Sequence, residues 1–275
     1  MFNIDAGSGH IQNSIVKNVN NEYKKFVINS ENIKKLDFFA KLENDDYEKI
    51  TTEDTKKSDF LCFAAGVKPA YYSSNIEFKN IPEGYHKITI GNNQMLLLND
   101  KNVKEIIQNN LQLFNALLDK KDLSVDNIYK LLSSDNKENP LKQKPFRNDI
   151  LGIVLGFPKL SAIIFNLTSL YGTKYKTSQL IATQANILEY LQSEDCFYKN
   201  KSLKDSLIKI LQDNILISDT NTGQLVIGIS QESKKSLPLL CKLYINEPKE
   251  IERIETLYRE YSGKLIDLNE INQVD

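Results

Sequence analysis

Three side chains have the types and order that nucleophilic catalysis needs: Cys62, His86 and Asp100. Cys62 lies in "SDFLCFAAGVKPAYYSSN", residues 58–75, where Ser58 can start and Gly66 can stop a short helix. His86 leads the run "HKITI", and Asp100 closes the facing run "QMLLLND". In such a set the imidazole withdraws the thiol proton, and a helix N-terminus favours the thiolate. An acid on the far side of the ring then fixes the histidine tautomer. The chain has only two histidines, His10 and His86, so other histidine-based mechanisms have little to draw on. No Cys-x-x-Cys pair and no EF-hand spacing occurs, so neither a metal nor a cofactor is expected. "AGSGH", residues 6–10, has no preceding strand and no closing Lys-Ser/Thr, and reads as an exposed turn rather than a phosphate loop.

The order of Cys on a helix and His on a strand is that of papain-like and transglutaminase-like folds, so a cysteine hydrolase or acyltransferase is one reading. Packing is the other. Cys62 falls about four residues inside its helix, where the end charge has faded. Phe60, Leu61 and Phe63 surround it in sequence, and an apolar shell raises a thiol pKa. Asp100 is accounted for as a helix cap. A free cysteine is among the most buried residue types, and the packing reading is preferred here. Lys68, Tyr71 and Tyr72 form a second candidate set, facing a ligand or partner. The run "KQKPFR", residues 142–147, reads as a solvated loop, with docking of an acidic partner as the alternative.

The elements that must hold these residues follow from periodicity. Apolar positions at Ile11, Ile15, Val16, Val19 and Tyr23 share one helical stripe, as do Ile33, Leu36, Phe39 and Leu42 behind Ser30. Residues 84–98 read as a β-hairpin turning at Gly91-Asn92-Asn93. Asp100 then opens one helix carrying Val103, Ile106, Ile107, Leu111, Phe114 and Leu118. Ser124 starts another, through Leu132. "SSDNKENPLKQKP", residues 133–145, is polar with two prolines and reads as a linker or exposed loop. Pro158 suits the first turn of a helix burying Leu160, Ile163, Ile164 and Leu167 and stopping near Gly172. Thr177 begins a helix with Ile187 and Leu191, and a further helix spans Leu203–Leu211. Residues 214–230 read as a second hairpin. "LPLLCKLYI" fits either period, and residues 246–263 carry helix start and stop signals. The expected fold is α+β, mainly helical with two hairpins, at 84–98 and 214–230. Its two parts, 1–135 and 146–275, form one unit or two closely packed subdomains.

The chain has 275 residues, with 35 Lys and Arg against 36 Asp and Glu, for a formal charge of −1. A neutral balance with guanidinium groups only at Arg147, Arg253 and Arg259 argues against nucleic-acid binding. No apolar run reaches the roughly 18–20 residues of a transmembrane helix. The N-terminus shows no basic and apolar leader. The chain reads as cytoplasmic if complete, and as a mature secreted form if a leader has been removed. Three cysteines, Cys62, Cys196 and Cys241, make no disulfide framework, and a Cys196–Cys241 bridge is left open. Heavy use of Asn, Lys and Ile suggests an AT-rich, bacterial genome.

Two motifs carry a resemblance. "AGVKPA", Ala65–Ala70, is followed by "NDILGIVLGFP", Asn148–Pro158, with Phe165 a turn or two beyond. In that order they resemble a family of bacterial proteins, common in clostridia, with an AGxKPA segment behind a cysteine and an LGYP segment opening a helix. The resemblance covers residues 62 to about 170. Here the cysteine is displaced and Phe157 replaces the family's Tyr. No activity attaches to the family, so the resemblance implies a fold of helices and a hairpin. The small residues Ala64, Gly66, Ala70, Gly152 and Gly156 predict that the two corners pack on each other. The function expected is therefore non-catalytic binding of a protein partner, with export as an effector in view. The cysteine hydrolase or acyltransferase is the alternative.

Overall fold

The computed structural model describes residues 63–64, 66, 68–73, 81–90, 94–175, 184–213, 225–226 and 240–241, with Phe38, Lys249, Arg253 and Thr256. Cys62, the helices expected over 11–23 and 30–42 apart from Phe38, and residues 214–224 lie outside them. The fold is α+β and mainly helical.

The first strands among the described residues form a three-stranded antiparallel sheet: β1 (Ala70–Ser73), β2 (Tyr85–Ile90) and β3 (Gln94–Asn99), in spatial order β1-β3-β2. The expected hairpin is thus β2 with β3, and β1 adds to its other edge. Registers Ala70↔Leu98 and Ile88↔Leu96 put even-numbered residues on one face. Ala70, Ile88, Ile90, Leu96 and Leu98 join the main helical core there. Odd-numbered Tyr71 and Tyr85 face the other way, among the rings of Phe38 and Phe63. The Phe38 ring meets Tyr85 edge-on, with centroids 4.9 Å apart. Central β3, "QMLLLN", is covered on both faces, so its sequence is a continuous apolar run rather than an alternation.

β3 leads directly into α1 (Asp100–Asn109), followed by α2 (Leu111–Leu117) and α3 (Val125–Ser133). Asn99, not Asp100, caps α1: its side chain accepts from the Asn102 N–H. Asp100 instead occupies the first turn, where a carboxylate favours the helix dipole. The single helix expected over Val103–Leu118 is broken at Asn110. There the Asn110 side-chain amide donates back to the Ile106 carbonyl at 3.0 Å, and its φ of −130° leaves the helical range. Ser124 caps α3, as expected.

The segment expected as a linker is ordered and partly buried. Asn139, fully buried, donates to the Leu132 and Ser134 carbonyls at 2.7 Å and accepts from Leu141 N–H. A short 3-10 turn, Pro140–Lys142, follows. Polarity marked this stretch as exposed; Asn139 closes enough backbone bonds to let Pro140 and Leu141 pack inward.

α4 (Asn148–Val154) lies against α5 (Lys159–Tyr175), with α6 (Gln184–Gln192) and α7 (Lys201–Asp213) beyond. α5 buries residues around most of its circumference, from Ala162 and Ile163 to Asn166 and Leu170, as the central helix of the layer. α7 shows a narrow stripe, Leu203, Leu207 and Leu211. Apolar residues from Ala70 to Leu211 form one cluster that crosses residues 133–145. Near the C-terminus, β4 (Leu225–Val226) pairs with β5 (Leu240–Cys241), which settles part of "LPLLCKLYI" as strand. Cys196 is a buried free thiol and forms no bridge to Cys241.

Candidate functional site

The sheet edge brings His86 and Asp100 together. Even-numbered His86 projects toward α3, and the direct β3–α1 connection sets Asp100 beside it. His86 Nδ1 lies 3.7 Å from Asp100 Oδ1, beyond hydrogen-bond length. Tyr129 of α3 takes that oxygen instead, its hydroxyl donating to Asp100 Oδ1 at 2.5 Å. The rings of His86 and Tyr129 meet edge to face at 6.3 Å. Burial first, and the Asp100 carboxylate second, hold the Tyr129 phenol well above its ordinary pKa. It remains a donor at any physiological pH. Lys104 closes the other side, 2.8 Å from Asp126 and over the Tyr129 ring. Tyr129 went unnoticed in the sequence; its signal was the α3 phase set by Ser124, which turns Ile128, Tyr129 and Leu132 inward.

Lys68, Tyr71 and Tyr72 are not brought to one patch. Strand alternation sends Tyr71 into the aromatic cluster with Phe63, 3% exposed, while Tyr72 faces the helices, half-buried. Burial raises the Tyr72 phenol pKa. Lys68 is buried at 5% exposure, with Nζ 5.6 Å from the centre of the Phe157 ring.

That contact belongs to the meeting of the two motif corners. A side chain on Gly156 would begin 3.2 Å from Pro69 Cδ, so the backbone of one corner rests on the proline of the other. Gly156 has φ +89° and Gly66 φ +72°, both left-handed. Asn102 fastens the first corner, donating to the Gly66 carbonyl at 2.8 Å. Arg253 fastens the second, Nη2 donating to the Gly156 carbonyl at 2.7 Å. Gly152 lets α4 and α5 touch: a side chain there would begin 2.8 Å from Ala162 Cβ.

Beneath the loop that follows the 3-10 turn lies a buried polar network. Asp149, fully buried, accepts at Oδ1 from Arg147 Nε at 3.0 Å and from the Ile150 N–H at 2.9 Å. Its Oδ2 accepts from Arg147 Nη2 and from the Tyr198 hydroxyl, each at 2.8 Å. Arg147 Nη2 also donates to the Leu117 carbonyl at 2.8 Å, and Phe197 lies under the guanidinium. Asn166 donates to the Tyr198 oxygen at 3.0 Å. Burial and the Asp149 charge push the Tyr198 phenol far up. The charges are paired and hydrogen-bonded, as burial demands. The sequence held one clue: an arginine in a chain that otherwise uses lysine almost throughout.

Beside this network a hollow of about 240 Å³ opens between β1, β3 and the 141–151 segment. Tyr72, Ile90, Leu141, Phe146 and Leu151 give it apolar walls, and Gln94, Arg147 and Asn148 give it polar ones. Phe146 is 45% exposed. Tyr72 thus belongs to a recess, whereas Lys68 and Tyr71 are spent on packing. Among the described residues no group of three His, Cys, Asp or Glu side chains is placed to hold a metal, and no helix is long and apolar enough to cross a membrane.

No family model, curated protein or solved structure matches this chain.

Proposed function

We propose that this chain is a non-catalytic binding protein whose partner is another protein, engaged at the hollow beside Phe146. The observation that carries this reading is the hollow itself, walled by Tyr72, Ile90, Leu141 and Leu151 with exposed Phe146 among them. Aromatic and aliphatic walls with a few polar groups are the usual make-up of an interface anchor pocket. The chemistry-bearing side chains elsewhere in the described residues support the same reading, because Asp149 is occupied with Tyr198 and Asp100 with Tyr129. A bacterial source and action outside the producing cell are finer parts of this proposal, resting on composition alone.

The test is selection of a random 12-residue peptide library on the whole chain, with Phe146→Ala as the counter-target. Recovery lower by about tenfold on the variant is expected, since removing one anchoring aromatic costs on the order of 1–2 kcal/mol. Equal recovery from both proteins would overturn the reading.

The cysteine hydrolase or acyltransferase is kept as a second reading because His86 and Asp100 lie side by side. It requires Cys62 to react with iodoacetamide near pH 6 and to slow in His86→Ala. An inert Cys62, or one indifferent to His86, dismisses it.

A further inference from the structure

We propose that the hollow beside Phe146 receives an acidic peptide segment, its carboxylate held by Arg147 and Lys144 and a neighbouring apolar side chain seated among Tyr72, Leu141 and Phe146. This rests on the binding reading above and names the partner's chemistry.

The argument begins with the donors of Arg147. A guanidinium carries five N–H groups. Nε gives its hydrogen to Asp149 Oδ1, and Nη2 gives its pair to Asp149 Oδ2 and the Leu117 carbonyl. Both N–H groups of Nη1 therefore lack an acceptor among the described residues, on a side chain 7% exposed that lines the hollow. A buried donor of this kind is costly to leave unmade, and an oxygen entering the hollow relieves it. Gln94 lines the same hollow, and its amide has no hydrogen bond among the described residues either.

The charges nearby favour an anion. Arg147 is balanced by Asp149, and Lys142 by Asp135 at 2.7 Å. Lys144, two residues before Phe146, is exposed and forms no ion pair with another described residue. Among the described residues of the 141–151 segment, which walls the hollow, Lys144 is thus the cation without a paired carboxylate, and it complements a single incoming carboxylate. A phosphate dianion suits it less, because the Asp149 carboxylate already touches Arg147 and repels the second charge.

Size and lining indicate a peptide. At about 240 Å³ the hollow is smaller than the roughly 300–1,000 Å³ of pockets that enclose a drug-sized ligand. It has room for one large side chain, with the rest of the ligand lying outside. Tyr72, Leu141 and Phe146 offer that side chain an apolar bed, and the carboxylate then falls on the polar side at Arg147.

The same 12-residue library, selected in parallel on the wild type, Phe146→Ala and Lys144→Glu, tests the proposal. Peptides that depend on Phe146 are expected to be enriched in Asp or Glu within two residues of an apolar side chain. Their recovery on Lys144→Glu should fall about fivefold, and less so in 0.5 M salt, as for a charge at an interface rim. Lys144 is exposed, so that variant keeps the fold. Phe146-dependent peptides without acidic enrichment, or unaffected by Lys144→Glu, overturn acid recognition and leave the hollow as a binding site. If no peptide depends on Phe146, both readings fall.

Discussion

The Tyr198 hydroxyl donates to Asp149 Oδ2 at 2.8 Å, across 49 residues of chain. This bond ties the start of α4 to the segment between α6 and α7, and it sits in the same carboxylate that neutralises Arg147. A fully buried aspartate is stable here only because each of its oxygens meets two donors.

Asp149→Ala leaves the Arg147 guanidinium buried without its counter-charge. A loss of about 3–5 kcal/mol is expected from breaking such a pair. Tyr198→Phe removes one bond to a carboxylate that keeps its other donors, at a cost of about 1–3 kcal/mol. Urea denaturation of both variants checks the order. Equal effects would mean that the carboxylate is not the centre of the network.

Gly152→Ala forces a methyl group to within 2.8 Å of Ala162 Cβ. Separating α4 from α5 should cost about 1–3 kcal/mol, as overpacking does. Adding Ala162→Gly should restore part of that loss, measured as a urea midpoint, despite the poor helix propensity of glycine. A double variant no better than the single one would exclude the contact as the cause.

Gly156→Ala and Gly66→Ala both place a side chain at positive φ, yet among the described residues only Gly156 of the two has a neighbour, Pro69 Cδ at 3.2 Å. Both should lose about 1–2 kcal/mol to backbone strain, and Gly156→Ala should lose more. Thermal unfolding of the pair therefore measures how tightly the two motif corners press together.

Stability should fall as the pH rises past about 10, the ordinary tyrosine value. In the fold Tyr129 and Tyr198 are held neutral, their pKa values raised by burial and by Asp100 and Asp149. Above pH 10 the unfolded chain releases those protons while the folded chain retains them, so unfolding gains. The stabilisation is whole below that pH and drains away as the pH climbs. Urea midpoints at pH 9, 10 and 11 should decline less steeply in Tyr198→Phe than in the wild type. Parallel declines would assign the alkaline loss to other groups.

Cys196 should resist iodoacetamide in the native protein and react on unfolding. Its thiol is buried, and burial raises its pKa. Peptide mapping by mass spectrometry after labelling at pH 7.5 reads this directly.

Much of the fold was legible because local rules carried it. Turn residues at 91–93 and the apolar run of β3 announced the β2–β3 hairpin, and Ser124 announced α3. The small residues at Gly152 and Gly156 announced the corner that Pro69 fills. What stayed hidden depends on partners distant in sequence or on one side chain overriding a pattern. Asn110 interrupts a helical stripe that is unbroken in the sequence. Asn139 turns a polar stretch inward. His86 and Asp100 were paired by their places on adjacent strands, but nothing local said that Tyr129 would claim the carboxylate first. Tyr71 and Tyr72, adjacent in sequence, were parted by the alternation of the strand. The hollow draws on residues from Tyr72 to Leu151, and no window of sequence contains it.

β3 is hydrogen-bonded along both edges and roofed by side chains above and below. Its amide hydrogens consequently have no route to solvent short of dismantling a neighbouring strand together with the layer over it. Leu96, Leu97 and Leu98 should therefore be the last to trade hydrogen for deuterium, and their exchange rate would report the opening of the whole assembly rather than of any part.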